Sequence, residues 1–307
     1  TDEDAMQRAL GAGADWTLTK PCSYAVVEAR LDGVRSIIAL RRELERKSRA
    51  LEAFEERARQ EMRLARRTLR EFNRIDPRAA LYLQHWVSPA IEFSGDTISA
   101  ARSPDGTVWV MLADNVGHGL PAALNAIPVT RAFQAIAAKG LNPATMVREL
   151  NRTVRAHLAD SSIVAATIVR VSAADGVVEV WNGGNPRVLL LDATGAVAHA
   201  FVPHQPALGV REDSELDTRF ETVRLSPGLQ LVMASDGLLE IGRGGPFGES
   251  GLIAAFGEVP PAKRFGNVVS RLQEIMSGRP ITHDVSLALV DCDAAAAGHR
   301  QELQVGD

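Results

Sequence analysis

The stretch "ADNVGHGLPAALNA", residues 113–126, decides how this chain is read. It follows the apolar run "VWVML", residues 108–112, whose density marks a buried strand. The run ends in Asp114 and Asn115, then opens into Gly117, His118 and Gly119. A strand that delivers a carboxylate into a glycine-rich bend suits a metal or phosphate site, and equally a plain turn. Three more aspartates share this context. Asp96 follows Ser-Gly within "AIEFSGDTISAARS", Asp236 ends "LQLVMAS" ahead of Gly237, and Asp284 opens "DVSLALVD". Aspartate is poor inside strands, so each alone reads as a turn former. As a converging set they repel one another unless a divalent cation sits between them. Hard oxygen donors suit Mg or Mn rather than zinc. Two such ions can activate a water for in-line attack on phosphorus. His118 is a candidate to protonate the leaving alkoxide, although a histidine between glycines is as often structural.

Around this core the texture is that of strands, a helix pair, then more strands. "TVWVMLAD" pairs with the preceding strand across the turn "PDG". "PAALNAIPVTRAFQAIAAKG" and "PATMVRELNRTVRAHLAD" are amphipathic helices, the second started by Asn142 and Pro143. "SIVAATIVRVSA", "GVVEVWNGG", the hairpin "RVLLLDATGAVAHAF", "TRFETVRL" and "LQLVMAS" supply further strands, with a helix at "RFGNVVSRLQEIM". This order describes an α+β domain over residues 76–295, followed by a tail at 296–307.

Upstream, Ser36 to Phe72 contains no proline or glycine and is densely charged. Ile37, Leu40, Leu44, Leu51, Phe54, Ala58, Ala65 and Phe72 recur at steps of three and four, interrupted by Lys47, Glu61 and Thr68. The spacing predicts a coiled-coil helix over residues 34–75 that pairs with its twin in a homodimer. The alternative is one solvated helix packed on its own domain. The basic run "RLARRTLR" reads as a solvated face rather than a nucleic-acid patch. Residues 1–33 read as helix ("EDAMQRALGAGAD"), strand ("WTLTKP") and helix ("CSYAVVEARLDGV"), too few elements to bury a core alone. Thr1 is not a start methionine, so a larger unit is expected to begin upstream.

Composition narrows the function classes. Of 307 residues 46% are apolar, ordinary for a globular protein, and a net charge of −4 argues against a broad nucleic-acid surface. No apolar run reaches the ~20 residues of a membrane span, and "TDEDAMQRAL" carries no secretion signal. Two isolated cysteines, Cys22 and Cys292, fit a reducing cytoplasm rather than a disulfide or zinc framework.

Taken in order, the motifs resemble the SpoIIE/RsbU branch of the PPM metal-dependent serine/threonine phosphatases. That branch shows Gly-Gly-Asp, Asp-Val-Ser-Gly-His-Gly with a Pro-Ala-Ala helix, Ala-Gly-His-Pro, Leu-Gly, Thr-Asp-Gly-x-x-Glu, Phe-Gly and Asp-Asp-x-Thr. Here the chain reads "SGD" at 94–96, "DNVGHGLPAAL" at 114–124, "NGGNPRVLL" at 182–190 and "PALGV" at 206–210. It continues with "SDGLLE" at 235–240, "PFG" at 246–248 and "HDVSL" at 283–287. The resemblance implies a four-layer α-β-β-α sandwich with two Mn or Mg ions between its sheets. Asp114 would bridge both ions, the Asn115 backbone carbonyl and Asp96 would serve the second, and Asp236 the first. It implies hydrolysis of phosphoserine or phosphothreonine on a STAS-type anti-sigma-factor antagonist, without a phosphoenzyme. Two departures stand out. His283 occupies the place of the last metal aspartate, leaving His283 or Asp284 as the ligand, and a one-residue shift along a strand reverses the side chain's face. Asn185 stands where the family has histidine. The departures leave a second reading open, a catalytically degenerate adaptor of the RssB type that binds a sigma factor or its regulator.

"GAGADWTLTKP", residues 11–21, resembles the end of a response-regulator receiver domain. The resemblance implies that Lys20 contacts the acyl phosphate, that the Lys20–Pro21 bond is cis, and that the phosphoacceptor lies upstream of Thr1. A receiver would then control a phosphatase through the coiled coil.

Overall fold

The computed structural model describes residues 2–73, 75–117, 119–157, 163–241, 247–257, 259–277, 281–293 and 295. The chain divides into two compact units, Thr1–Ala65 and Arg66–Asp307. The first unit holds α1 (Asp2–Gly11) and most of α2 (Tyr24–Phe72). The helix expected from "CSYAVVEARLDGV" runs without a break into the expected coiled coil, so Gly33 lies inside α2 and not at a boundary. The strand expected at "WTLTKP" is not formed. An extended segment becomes a strand only beside a hydrogen-bonding neighbour, and among the described residues none pairs with it. The Lys20–Pro21 peptide is cis, and Lys20 is exposed. Arg30 sets its guanidinium 5.6 Å from the centre of the Trp16 ring. Along α2, Ile37, Leu40, Leu44, Leu51 and Phe54 are 58–70% exposed, an apolar seam uncovered in the single chain.

The second unit is an α+β sandwich. The short α3 (Pro77–Ala80) is capped by Asp76, whose carboxylate accepts the Arg78 amide, and leads into β1 (Leu83–Ser88). Next come β2 (Asp96–Arg102), β3 (Val108–Asn115), α4 (Leu120–Ala138), α5 (Pro143–His157), β4 (Val164–Ser172) and β5 (Val177–Gly183). The hairpin of β6 (Val188–Leu191) and β7 (Val197–Phe201) follows, then β8 (Glu221–Arg224) and β9 (Gln230–Ala234). The unit finishes with α6 (Asp236–Glu240), α7 (Gly248–Gly257), α8 (Pro261–Met276) and β10 (Val285–Asp291). One sheet has the order β1-β10-β9-β6-β7 and the other β2-β3-β4-β5-β8, with antiparallel pairing throughout. The expected tail at 296–307 lies outside the described residues. No helix among those described is long and apolar enough to cross a membrane.

The run "VWVML" is apolar throughout because both faces of its sheet are covered. Val108, Val110 and Leu112 point to the core between the sheets, against Leu190, Leu231, Met233, Ala288 and Val290 of the opposite sheet. Trp109 and Met111 point the other way, onto Val129 and Phe133 of α4 and Met146 and Leu150 of α5. Across the molecule, Leu189, Val232 and Leu287 pack beneath Leu252, Phe256, Val268 and Leu272 of α7 and α8. These four layers match the expected sandwich. Four elements were not expected: α3, β1, α6 and α7. Leu112 is fully buried at the centre of the inter-sheet core. Leu112→Ala is therefore expected to cost ~2–5 kcal/mol of unfolding free energy, measured by urea denaturation.

Candidate functional site

The site lies at one end of the sandwich, where strands of both sheets end or begin. Asp96 opens β2 and Asp114 stands near the end of β3, directly opposite one another in the antiparallel register. Facing residues of such a pair project to the same side of the sheet, so the ladder itself brings these two carboxylates together. Asp236 comes from the other sheet, as the first residue of α6 immediately after β9. Asp284 and His283 precede β10, the neighbour of β9. Asp96, Asp114, Asp236, His283 and Asp284 line a single cavity of about 290 Å³, with Val116, Gly117 and Thr282 completing the wall. The chain leaves the cavity through Gly117 and Gly119, whose φ angles of 99° and 77° are accessible at little cost only to glycine.

The electrostatics follow from crowding like charges. Asp96 is 4% exposed, and burial raises its carboxyl above the usual carboxylate range. The charge of Asp284 adds to the rise, while the Ser286 and Ser235 hydroxyls oppose it. Asp114 is raised further, first by burial and then by Asp96 and Asp236. The Asp96 Oδ2 atom is buried with no hydrogen-bond partner among the described residues. An orphaned carboxylate oxygen among like charges, in a cavity where carboxylates outnumber the single histidine, fits a divalent cation of the Mg or Mn kind. Among the described residues no three histidine, cysteine, aspartate or glutamate side chains already form a closed ligand set. The carboxylates line the cavity rather than meet at a point.

The remaining expected residues fall in different places. Asn115 is buried and does not line the cavity. Its side-chain amide donates to the Gly95 carbonyl at 2.8 Å, tying β3 to the segment that leads into β2. Asn185 is buried in structural bonds, donating to the Leu112 carbonyl and to the Thr167 hydroxyl, both at 3.1 Å. His118 lies outside the described residues. Asp96 was expected within a strand, yet β2 begins at Asp96 and residues 90–95 are loop. Sequence reading missed Glu240, whose Oε2 lies 3.3 Å from His283 Nε2. The motif "SDGLLE" carries it, one helical turn beyond Asp236.

Acids with raised values in the folded state bind protons more tightly there than when unfolded. The metal-free protein should therefore lose stability as pH rises from about 4 through the raised values of Asp96 and Asp114. Removing one charge should relieve this. At neutral pH without metal, Asp114→Asn is expected to melt above the wild type by roughly 2–4 °C per kcal/mol of relieved repulsion. It should also lose the stabilisation that Mn gives the wild type, both read by thermal unfolding with and without Mn.

The family model described as Stage II sporulation protein E (SpoIIE) matches residues 104–293. Phosphoserine phosphatase RsbP of Bacillus subtilis (strain 168) is 22% identical over 162 residues, 52% of this chain. The chain thus spans only 40% of the length of that curated relative. Among solved structures, the SiaA-PP2C domain of Pseudomonas aeruginosa superposes with a TM-score of 0.65 at 19% identity, covering 78% of this chain and 97% of that domain. The PP2C phosphatase domain of SpoIIE from Bacillus subtilis, with a fragment of its regulatory domain, gives 0.54 at 16% identity, covering 68% and 62%. RsbX in complex with magnesium gives 0.50 at 14% identity, covering 68% and 94%. The similarity to solved structures carries the fold, which is PP2C-like, and the family match carries the membership: the chain belongs to the SpoIIE family.

Proposed function

We propose that the chain hydrolyses phosphoserine or phosphothreonine on a protein substrate, using divalent metal held at the end of the sandwich. One observation carries this reading: Asp96, Asp114 and Asp236, drawn from both sheets, line one cavity, with the first two forced opposite each other by strand register. Burying mutually repelling carboxylates is unfavourable without a cation. Their presence argues against a metal-free adaptor. In this reading Asp96, Asp114 and Asp236 would hold the ions, two Mn or Mg, with Asp114 serving both, while the Asn115 carbonyl, implied as a further donor by the resemblance, belongs to a residue off the cavity wall. When bound, such ions supply Lewis acidity and an activated water. The chain's own residues hold those ions, and Gly117, Val116 and Thr282 shape the opening through which a phosphoseryl side chain enters. His118, between two glycines, is the proposed proton donor to the leaving seryl oxygen. No phosphoenzyme is formed.

The substrate class follows the family resemblance: a phosphorylated STAS-type anti-sigma-factor antagonist, or another protein of a sigma-factor pathway, in the cytoplasm. The similarity to a phosphoserine phosphatase supports the serine preference. The segment "GAGADWTLTKP" supports a receiver remnant at residues 1–33, which makes the chain the output part of a response regulator with Lys20 as its conserved lysine. The exposed seam Ile37, Leu40, Leu44, Leu51 and Phe54 supports a homodimer through α2, because uncovered large apolar residues at coiled-coil spacing are satisfied by a second copy.

Phosphate release from a phosphoserine peptide by the full chain tests the activity. Wild-type turnover should require Mn or Mg. Asp114→Asn should lower kcat by more than the ~100-fold that loss of an outer-shell partner typically costs at a metal site. Metal-independent turnover, or full activity in the variant, would contradict the proposal. Sedimentation tests the dimer: the double variant Leu44→Asp, Leu51→Asp should sediment as a monomer where the wild type sediments as a dimer.

A further inference from the structure

The two residues ahead of β10 have different surroundings, and this separates their roles. Both oxygens of Asp284 are engaged by backbone amides of the loop before β2. The Ala90 amide donates to Oδ1 at 2.7 Å, and the Gly95 amide donates to Oδ2 at 2.6 Å. The loop leaves β1, the neighbour of β10 in the same sheet, and crosses to β2 of the other, so this carboxylate holds the start of the crossing at Ala90 and its end at Gly95. Gly95 directly precedes Asp96, and its position admits no side chain. A Cβ there would lie 2.8 Å from the Asn115 carbonyl oxygen and 3.1 Å from the Ala122 Cβ. The Asp284 backbone is also packed in place, since a Cβ on Gly237 would come within 2.1 Å of the Asp284 carbonyl oxygen. The Ser235 hydroxyl donates to that same carbonyl.

His283 is free of these duties. It is exposed at the cavity, with Nε2 facing Glu240 Oε2 at 3.3 Å. A carboxylate at one ring nitrogen of a histidine that lines a cavity is the pairing that fixes the tautomer of a metal-ligating imidazole.

We infer that Asp284 is a positioning residue that clamps residues 90–95, and hence Asp96, to the opposite sheet, while the ligand place at this strand end falls to His283, oriented by Glu240. The inference rests on the proposed metal site. An imidazole among carboxylates shifts the donor set toward Mn over Mg. Asp284 then fixes where Asp96 stands without itself giving up an oxygen pair to an ion.

The test uses the full chain, Mn as probe, and readouts independent of turnover. Pulsed electron paramagnetic resonance of bound Mn should show coupling to a histidine nitrogen in the wild type. The coupling should vanish in His283→Gln, and Glu240→Gln should weaken Mn binding by roughly 10–100-fold. Amide exchange without metal should be slow at Ala90 and Gly95. Asp284→Asn, with one acceptor oxygen lost, should speed exchange there while the number of bound Mn ions and the nitrogen coupling persist. Mn bound without nitrogen coupling, or Asp284→Asn losing an ion with both amides still protected, would overturn the inference and leave the metal site standing. Failure of Mn to bind the wild type at all would overturn both. The wild-type spectrum and wild-type exchange need no variant, so the assignment stays exposed to refutation even if Asp284→Asn does not fold.

Discussion

The constraint on which the site depends is the repulsion between a buried and a half-buried carboxylate that cannot avoid each other. Asp96 and Asp114 face one another because β2 and β3 are paired in one register, and that register is set by apolar side chains along the whole ladder. Slipping by one residue would turn Val108, Val110 and Leu112 away from the inter-sheet core. Core packing thus holds the charges together against their own repulsion, and the stability of the sandwich sustains a locally unfavourable cluster. Buried charge of this kind is tolerated where a counter-charge is supplied by the ligand or cofactor the site binds.

The rest of the end wall is built to the same purpose. Asp236 arrives from the second sheet because β9 stops at Ala234 and the chain turns at once into α6. Asp284 reaches across to the other sheet through the Gly95 amide and holds the loop's start through the Ala90 amide, and Asn115 ties β3 to Gly95. Several polar contacts therefore converge on the short loop before Asp96. Elsewhere the contact between the sheets is apolar and non-directional. At this end it is hydrogen-bonded and directional, as the placement of a carboxylate within a few tenths of an ångström requires.

Much of this was legible from sequence for a physical reason. The strands with both faces covered, such as "VWVML", are nearly continuous apolar runs, and the aspartates stand beside glycines at their ends. The ordered motifs implied that Asp96, Asp114 and Asp236, with His283 or Asp284, would converge between the sheets, and all five residues line one cavity. What escaped had weak local signal or depended on distant partners. The strand β1, "LQHWVS", is half exposed and interrupted by Gln84 and His85, so it lacks a clear alternation. The expected strand "WTLTKP" has the right residues without a neighbour to pair with. The role of Asp284 depends on amides 194 and 189 residues away, which no local pattern reveals. Glu240 was visible only as a motif letter until α6 brought it to His283.

The most direct test of the account is a crystal of the full chain soaked in Mn, with anomalous difference density recorded at the Mn absorption edge. The account requires density in the cavity between Asp96, Asp114 and Asp236, with the Asp96 Oδ2 atom no longer unpartnered. A cavity that stays free of anomalous density at millimolar Mn, with the four aspartates unmoved, would contradict it.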